Sequence, residues 1–501
     1  MNERLSLLTA LKDAVAAFTE QKLADVKVEE IRAPKLIRDA LTETALYEEH
    51  EIAVIDLPLV QRLRRIHQTG LAFLTYPCTG HNRFQHSLGV TNIVDKFAKS
   101  LMRKYKKLVD SHAVRELRLA AILHDIGHGP FSHPTEEILM HMPEIKAELL
   151  ANPKFSKAKP HEMLAYYMIT SEAFRKVIEE INIHYDLKID IDRIANMIVG
   201  DMDNPQMEGY MSDLINGPFD ADKLDYMPRD AYFSGLKMEV DLERIAYTSL
   251  IDKRGTSFDR RLCSDVSGAH NLEQIMFNKV LLYSSMYHHH KVRAAACTFK
   301  SIFEIIRDHK LEVDGHSFDN ATDFLSIDDY DVLSRFEEIP ELTQIIQNLK
   351  HRRLLKRALV ISRRTAKDPR PYQRLIRLSE DPTALRKLRD LIVDEVVRRG
   401  GVCSVYDLWI DLPEPPSLRE PSQCIVRLTE EKHVTLDTIF PADWWLTAYG
   451  ETKWKGHIFC PPDTELRKLV NEISQKVLKD ALGVEFEEAA TIEAKIPGLF
   501  Y

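Results

Sequence analysis

Residues 117–129, Leu-Arg-Leu-Ala-Ala-Ile-Leu-His-Asp-Ile-Gly-His-Gly, constrain the fold most tightly. Apart from Arg118, positions 117 to 123 are apolar on every face of a helix. A helix that is apolar all round has to be surrounded by other elements. The run then turns polar: His124 and Asp125 stand at its end, Gly127 and Gly129 stop it, and Pro130 prevents a restart. His128 and His133 follow at once. Packing does not call for that density of imidazole, so these groups are expected to gather around something.

The 501 residues suffice for two or three packed domains. Residues 5–27 have apolar positions at helical spacing, and a basic helix is predicted around Gln61–Gln68. Helical text then runs from about 86 to 345. Beyond 346 the composition changes: residues 350–377 hold eleven Lys or Arg and one acid, Asp368. Short β-prone runs broken by prolines come next, and a last helix is predicted over about 464–482. The reading is a mainly α protein with an N-terminal helical segment (1–35), an all-helical body (36–345) and a smaller α+β C-terminal region (346–501).

Acidic residues number 77 against 68 basic ones, so a net charge of −9 excludes a generic polyanion binder. Any basic site must be local. The six cysteines are scattered without a CxxC pair, which points to free thiols in a reducing cytosol. No signal peptide or membrane span is visible, and a cytoplasmic protein is expected.

Imidazole with carboxylate suits a divalent transition metal, or Mn2+ or Mg2+ with more oxygen ligands. Other segments supply matching groups. His86 lies near the start of a helix in "HNRFQHSLGV", His161 sits in "PHEMLA", and Asp222 stands near a helix start in "FDADKLDYMPRD". Asp222 and Tyr226 share a helix face, and Pro228 is expected to kink that helix.

The words "IDLPLVQRLRRIHQTG", "HNRFQHSLGV", "LHDIGHGPFSH" and "FDADKLDYMPRD" occur in this order. The chain thereby resembles the HD superfamily of metal-dependent phosphohydrolases. Within it, the text is similar to the deoxynucleoside triphosphate triphosphohydrolases, strongly over 36–310 and more weakly through "RRLLKRALV" and "WIDLPEPPSL". The resemblance implies an all-helical HD-domain core and one divalent metal, Mn2+, Mg2+, Fe2+ or Zn2+, held by His86, His124, Asp125 and Asp222. It implies that His128, His133 and His161 serve catalysis beside the scissile phosphate, one of them protonating the leaving oxygen. Arg83 and Lys223 would hold phosphate oxygens, and Gln68, Tyr226 and Asp230 would face the sugar. Lys279 and His290 are further candidates for the triphosphate. Homo-oligomerisation, and a setting in nucleotide-pool control or phage defence, are also implied.

Four departures bear on substrate or regulation. Thr69 stands between Gln68 and Gly70 where the family carries a leucine implicated in rejecting a 2′-hydroxyl. Val280 occupies the place of a triphosphate-gripping arginine, with Lys279 beside it as a point charge and not a planar fork. The following word, Tyr287-His288-His289-His290-Lys291, is altered: with His290 and Lys291 in the family register Tyr287 stands one position early, and with His289 in register Lys291 is out of place. Three adjacent histidines cannot all share one ion, so pocket lining is the expected role. Finally, Asp39-Ala40-Leu41-Thr42-Glu43 replaces the family's regulatory nucleotide word.

These readings favour hydrolysis of a dNTP to deoxynucleoside and tripolyphosphate. The alternative is a phosphodiesterase or nuclease that uses the same metal on single-stranded nucleic acid, with residues 350–377 as the strand contact. A non-catalytic nucleotide sensor is disfavoured by the intact candidate ligand set.

Overall fold

The computed structural model describes residues 2–28, 33–201, 208–254, 260–414, 420–441, 446, 449–450 and 452–497. The junction expected near 35 and the proline-broken run therefore fall partly outside the described residues, at 29–32 and 415–419.

The Ser111–Leu123 helix is the centre of the body. Asp110 caps it by accepting from Ala113 N at 2.8 Å, and Leu119 to Leu123 have no exposed surface. The Arg83–Lys104 helix packs along it. That helix opens with a capping box: Asn82 and Gln85 exchange backbone-to-side-chain bonds of 3.0 Å in both directions. The Ala221–Ser234 helix lies across the same partner and is capped by Asp220, which accepts from Lys223 N at 2.8 Å. It runs on past Pro228, which costs one hydrogen bond to the carbonyl of Leu224 without ending the helix. The N-terminal helix, Asn2–Leu23, packs outside this group on Pro143–Ala151 and Glu172–His184.

The basic helix expected around 61–68 does not form as one element. A short helix, Pro58–Gln61, gives way to a 3-10 turn, Arg62–Arg65, and His67 then bridges to Asn82. Its cations are drawn to fixed partners. Arg62 donates to the carbonyls of Phe324 and Ile327 at 3.3 and 3.5 Å, and Arg65 pairs with Asp328.

Among the described residues, nine short strands complete the fold. β1 (Lys35–Asp39) and β2 (Glu43–Tyr47) form an antiparallel hairpin with Asp39 opposite Glu43. β3 (Ser249–Ile251), β4 (Leu262–Asp265), β7 (Ile425–Arg427) and β8 (His433–Thr435) make one sheet, and β5 (Lys356–Ile361), β6 (Trp409–Asp411) and β9 (Gly456–Cys460) another. β9 lies between β5 and β6, antiparallel to both. A second apolar core, separate from the main one, joins this sheet to the Pro382–Arg398 and Thr464–Leu482 helices. β4 pairs in parallel with β7, so the C-terminal region also lends strands to the main body. Position 345 lies inside the Pro340–Lys350 helix, and the second core takes up at Ala358. The protein is mainly α, as the periodicities predict. Among the described residues, no helix is long and apolar enough to cross a membrane.

Candidate active site

Three helices bring four groups near one another. His86 comes from the first turn of Arg83–Lys104, His124 and Asp125 from the end of Ser111–Leu123, and Asp222 from the first turn of Ala221–Ser234. Nitrogen and oxygen atoms of His86, His124 and Asp125 all lie within 4.8 Å of one another. Asp222 Oδ1 is 2.9 Å from His86 Nε2. Because Asp220 is the N-cap, the Asp222 carboxylate is spared that task.

Each imidazole is turned by a bond on its far side. His86 Nδ1 donates to Asp225 Oδ2 at 2.8 Å, and His124 Nδ1 to the carbonyl of Ala121 at 2.8 Å. The Nε2 atoms of His86, His124 and His128 are buried and face carboxylate oxygens, Asp222 at 2.9 Å for the first and Asp125 at 3.3 Å for the other two, without a well-directed hydrogen bond. Buried polar atoms are normally paired, and histidines that bind a metal usually tie down the other nitrogen in this way. The donor set and its orphaned nitrogens therefore fit a divalent cation. Electrostatics agree. Burial opposes charge on His86, yet Asp222 and Asp225 outweigh it and push the ring up to about 10. Burial would likewise raise Asp125, but Arg83, His124 and His128 hold it well below the usual carboxylate range.

The turn after Asp125 aims the remaining histidines. Phe131 and Ser132 take positive φ of 54° and 56°, a strained conformation for side-chain-bearing residues. It is clamped from outside: Phe131 N donates to Asp329 at 2.5 Å, Ser132 Oγ to the His67 carbonyl at 2.7 Å, and Arg83 Nε to Ser132 Oγ at 2.9 Å. His128 stacks on His161 with ring centres 3.8 Å apart. Their charge states differ. Burial, with Arg83 and His161 nearby, drives His128 well below its ordinary value, so it is neutral. Burial also opposes charge on His161, but the Glu136 carboxylate on Nδ1 outweighs it and raises the ring. His133 is half exposed and lies 3.5 Å from Glu136 Oε2.

A cavity of about 440 Å3 opens beside the cluster. His124, Lys157, Lys159, His161, Asp222, Lys223, Tyr226 and Lys279 are among the residues that line it. Lys223 Nζ donates to Asp220 and to the carbonyl of Gly217. Val280 lies elsewhere, against a second small cavity with His288 and Trp454, so it is Lys279 that faces the main one. Arg83 Nη1 donates to Asp125 Oδ2 at 2.9 Å, while its Nη2 is buried without a partner. Gln68 Oε1 and Thr69 Oγ1 are buried and unpartnered as well. Asp230 is engaged within the protein, 2.7 Å from His81 Nε2 and bonded to the Tyr287 hydroxyl. His290 packs against His289 and His457, and is not among the residues lining the main cavity.

Sequence reasoning passed over the groups that hold the ligands. Asp225 and Glu136 each sit three residues beyond a predicted site residue, Asp222 and His133, on the same helix face. That spacing was the available signal. Lys157 and Lys159 just before His161, and Ser132 just before His133, carried none.

Comparison with known proteins agrees with this geometry. Residues 83–227 match the HD domain, and residues 241–489 match the HD associated region. The chain therefore carries an HD domain followed by an HD associated region. It is 26% identical over 466 residues to an uncharacterized protein of Methanocaldococcus jannaschii, covering 92% of this chain and 86% of that one. It is 26% identical over 339 residues to the deoxynucleoside triphosphate triphosphohydrolase SAMHD1 homolog of Dictyostelium discoideum, covering 65% of this chain and 60% of that protein. Against the Danio rerio SAMHD1 triphosphohydrolase the identity is 26% over 375 residues, covering 67% and 57%. The chain thus spans less than two thirds of each of these triphosphohydrolases.

Proposed function

We propose that the protein hydrolyses deoxynucleoside triphosphates to deoxynucleoside and tripolyphosphate with a divalent metal. The observation that carries this reading is the cavity beside the His-Asp cluster, lined by Lys157, Lys159, Lys223 and Lys279. Glu162, Asp220 and Asp222 line it too, but Asp220 is taken up by Lys223 and Asp222 would hold the ion, which leaves the other three lysines against one carboxylate and suits a substrate with several closely spaced negative charges. The named activity of the Dictyostelium and zebrafish relatives points the same way.

His86, His124, Asp125 and Asp222 would hold the ion. Such an ion supplies a water acidified to near neutral pH and neutralises charge on the phosphoryl oxygens. The chain's own groups do the rest. Arg83 fixes Asp125 through Nη1 and leaves Nη2 to donate to a phosphate oxygen. His161, whose ring is raised by the Glu136 carboxylate, turns Nε2 toward Asp125, 3.9 Å away, and is the candidate donor of a proton to the leaving oxygen. Neutral His128 stacks beneath it and limits its rotation. Lys223 and Lys279 orient the polyphosphate, and Tyr226 offers its ring and hydroxyl to the nucleoside.

The nuclease alternative loses support from residues 350–377. Lys350 pairs with Glu337, Arg364 with Glu493, Lys367 with Glu485 and Arg370 with Asp368, while residues 358–361 are buried in β5. This is not a continuous free basic face.

The test offers each dNTP and NTP with Mn2+ or Mg2+, singly and mixed, beside a labelled single-stranded DNA. Deoxynucleoside and tripolyphosphate are the expected products. Shortened DNA with intact nucleotides would overturn the reading in favour of a nuclease.

A further inference from the structure

The β1–β2 hairpin is connected to the metal-ligand cluster by a chain of buried charges. Asp39, the last residue of β1, takes Arg229 in a fork, Nη1 to Oδ1 at 2.8 Å and Nη2 to Oδ2 at 3.0 Å. The same guanidinium forks Asp225, Nε to Oδ2 at 2.7 Å and Nη2 to Oδ1 at 2.9 Å. Asp225 Oδ2 accepts from His86 Nδ1 at 2.8 Å, and His86 Nε2 faces the cluster. Arg229, Asp225 and His86 are each at most 1% exposed.

The backbone is fitted to this chain. A Cβ on Gly89 would fall 2.0 Å from Asp225 Oδ1 and 2.2 Å from Arg229 Nη2, so only glycine lets the pair cross the Arg83–Lys104 helix. The hairpin is fixed at its other side. Asp39 Oδ2 accepts from Leu41 N and Thr42 N at 2.9 and 2.8 Å. Asn92 Nδ2 donates to Thr42 Oγ1 at 2.8 Å, and Tyr47 OH donates to the Leu88 carbonyl at 2.9 Å. Both Asn92 and Leu88 lie on the helix that carries His86.

We propose that Asp39 and Arg229, acting through Asp225, are positioning residues for His86, so that the N-terminal hairpin is a working part of the metal centre. Charge gives the reason. Two carboxylates around one guanidinium leave a net negative group behind the imidazole, which holds the Nδ1 proton and makes Nε2 a stronger donor to a cation. Without Asp39 the Arg229–Asp225 pair is neutral and its pull on the ring falls. The turn 39–43, which the substrate reading left without a role, acquires one.

The inference rests on the cluster being a metal centre, and the experiment separates the two. Mn2+ affinity of the full-length chain is measured by competition with a chromophoric chelator, without substrate. Asp39→Asn is expected to weaken binding about tenfold, and Asp39→Glu to recover most of it. Tyr47→Phe, which removes the hairpin's bond to the Leu88 carbonyl and touches neither fork, is expected to bind like the wild type. No Mn2+ binding by the wild type overturns the metal-centre reading and this inference together. Wild-type binding with unchanged affinity in folded Asp39→Asn overturns the inference alone, as does an equal loss in Tyr47→Phe. If Asp39→Asn does not fold, Asp39→Ser, whose hydroxyl can still accept from the Thr42 amide but which lacks the charge and the fork, carries the same expectation and the same refutation.

Discussion

Replacing Gly127 with alanine tests how the His-Asp turn is fitted against the Pro160–Ile169 helix. The φ of Gly127 lies outside the left-handed region, so an alanine could adopt its backbone conformation. Fewer unfolded conformations alone would make Gly127→Ala stabilising by about 0.4–1 kcal/mol. Space decides otherwise. A Cβ there would sit 2.0 Å from the carbonyl oxygen of His161 and 2.8 Å from Ala165 N. Both are backbone atoms, so no side chain can swing aside. Ordinary contact begins at 3.4 Å, and the helix must retreat by about 1.4 Å. Overpacking of this kind costs about 1–3 kcal/mol, more than the entropic gain. The retreat carries His161 away from His128, whose ring it now stacks at 3.8 Å. Misplacing a reacting group by about 1 Å costs roughly a hundredfold in rate. His86, His124 and Asp125 come from other helices, so metal affinity should hold. Denaturant titration, chelator competition and kcat/KM on the substrate that turns over read the three effects separately. A more stable protein, or an unchanged kcat/KM, would refute the reasoning.

Other perturbations follow from the same geometry. Glu136→Gln removes the charge that raises His161, so the alkaline limb of the pH–rate profile should move to lower pH; a limb that stays in place takes His161 out of the acid role. The sign is the same for stability. The pair's contribution from His161 is complete below the ordinary histidine range and fades as pH rises through the raised value, and denaturation against pH in both proteins measures it. Thr69→Leu fills a buried position whose hydroxyl has no partner, and should sharpen dNTP over NTP choice about tenfold if it meets the sugar; an unaltered ratio removes it from that role. Val280→Arg would bury an unpaired charge beside Trp454, and should destabilise by about 3 kcal/mol or more without lowering KM; a stable variant with lower KM would show that Val280, not Lys279, meets the triphosphate.

Much was legible in the chain alone. The apolar run 117–123 ending in His124 and Asp125 demands a buried helix with a polar tip, and helical periodicity over 86–345 makes its surroundings α. Local chemistry of this kind is written in adjacent residues. The last helix, expected over about 464–482, is Thr464–Leu482 for the same reason. The basic run 61–68 was misread because its arginines answer to residues more than two hundred positions away, Phe324, Ile327 and Asp328, and long-range partners override local propensity.

Only the tertiary structure decided what holds the site. That His86 and Asp222 approach within 2.9 Å depends on how two helices cross, and no spacing in the sequence encodes that crossing. The same holds for Lys279 facing the cavity while its neighbour Val280 faces away, a choice set by helix rotation. Asp39 lies 190 positions before Arg229, and their pairing needs the hairpin folded onto the helix of His86. A sequence displays groups able to bind a cation. Which of their nitrogens remain unpaired in the interior, and which carboxylates turn them, is settled by the burial that folding imposes.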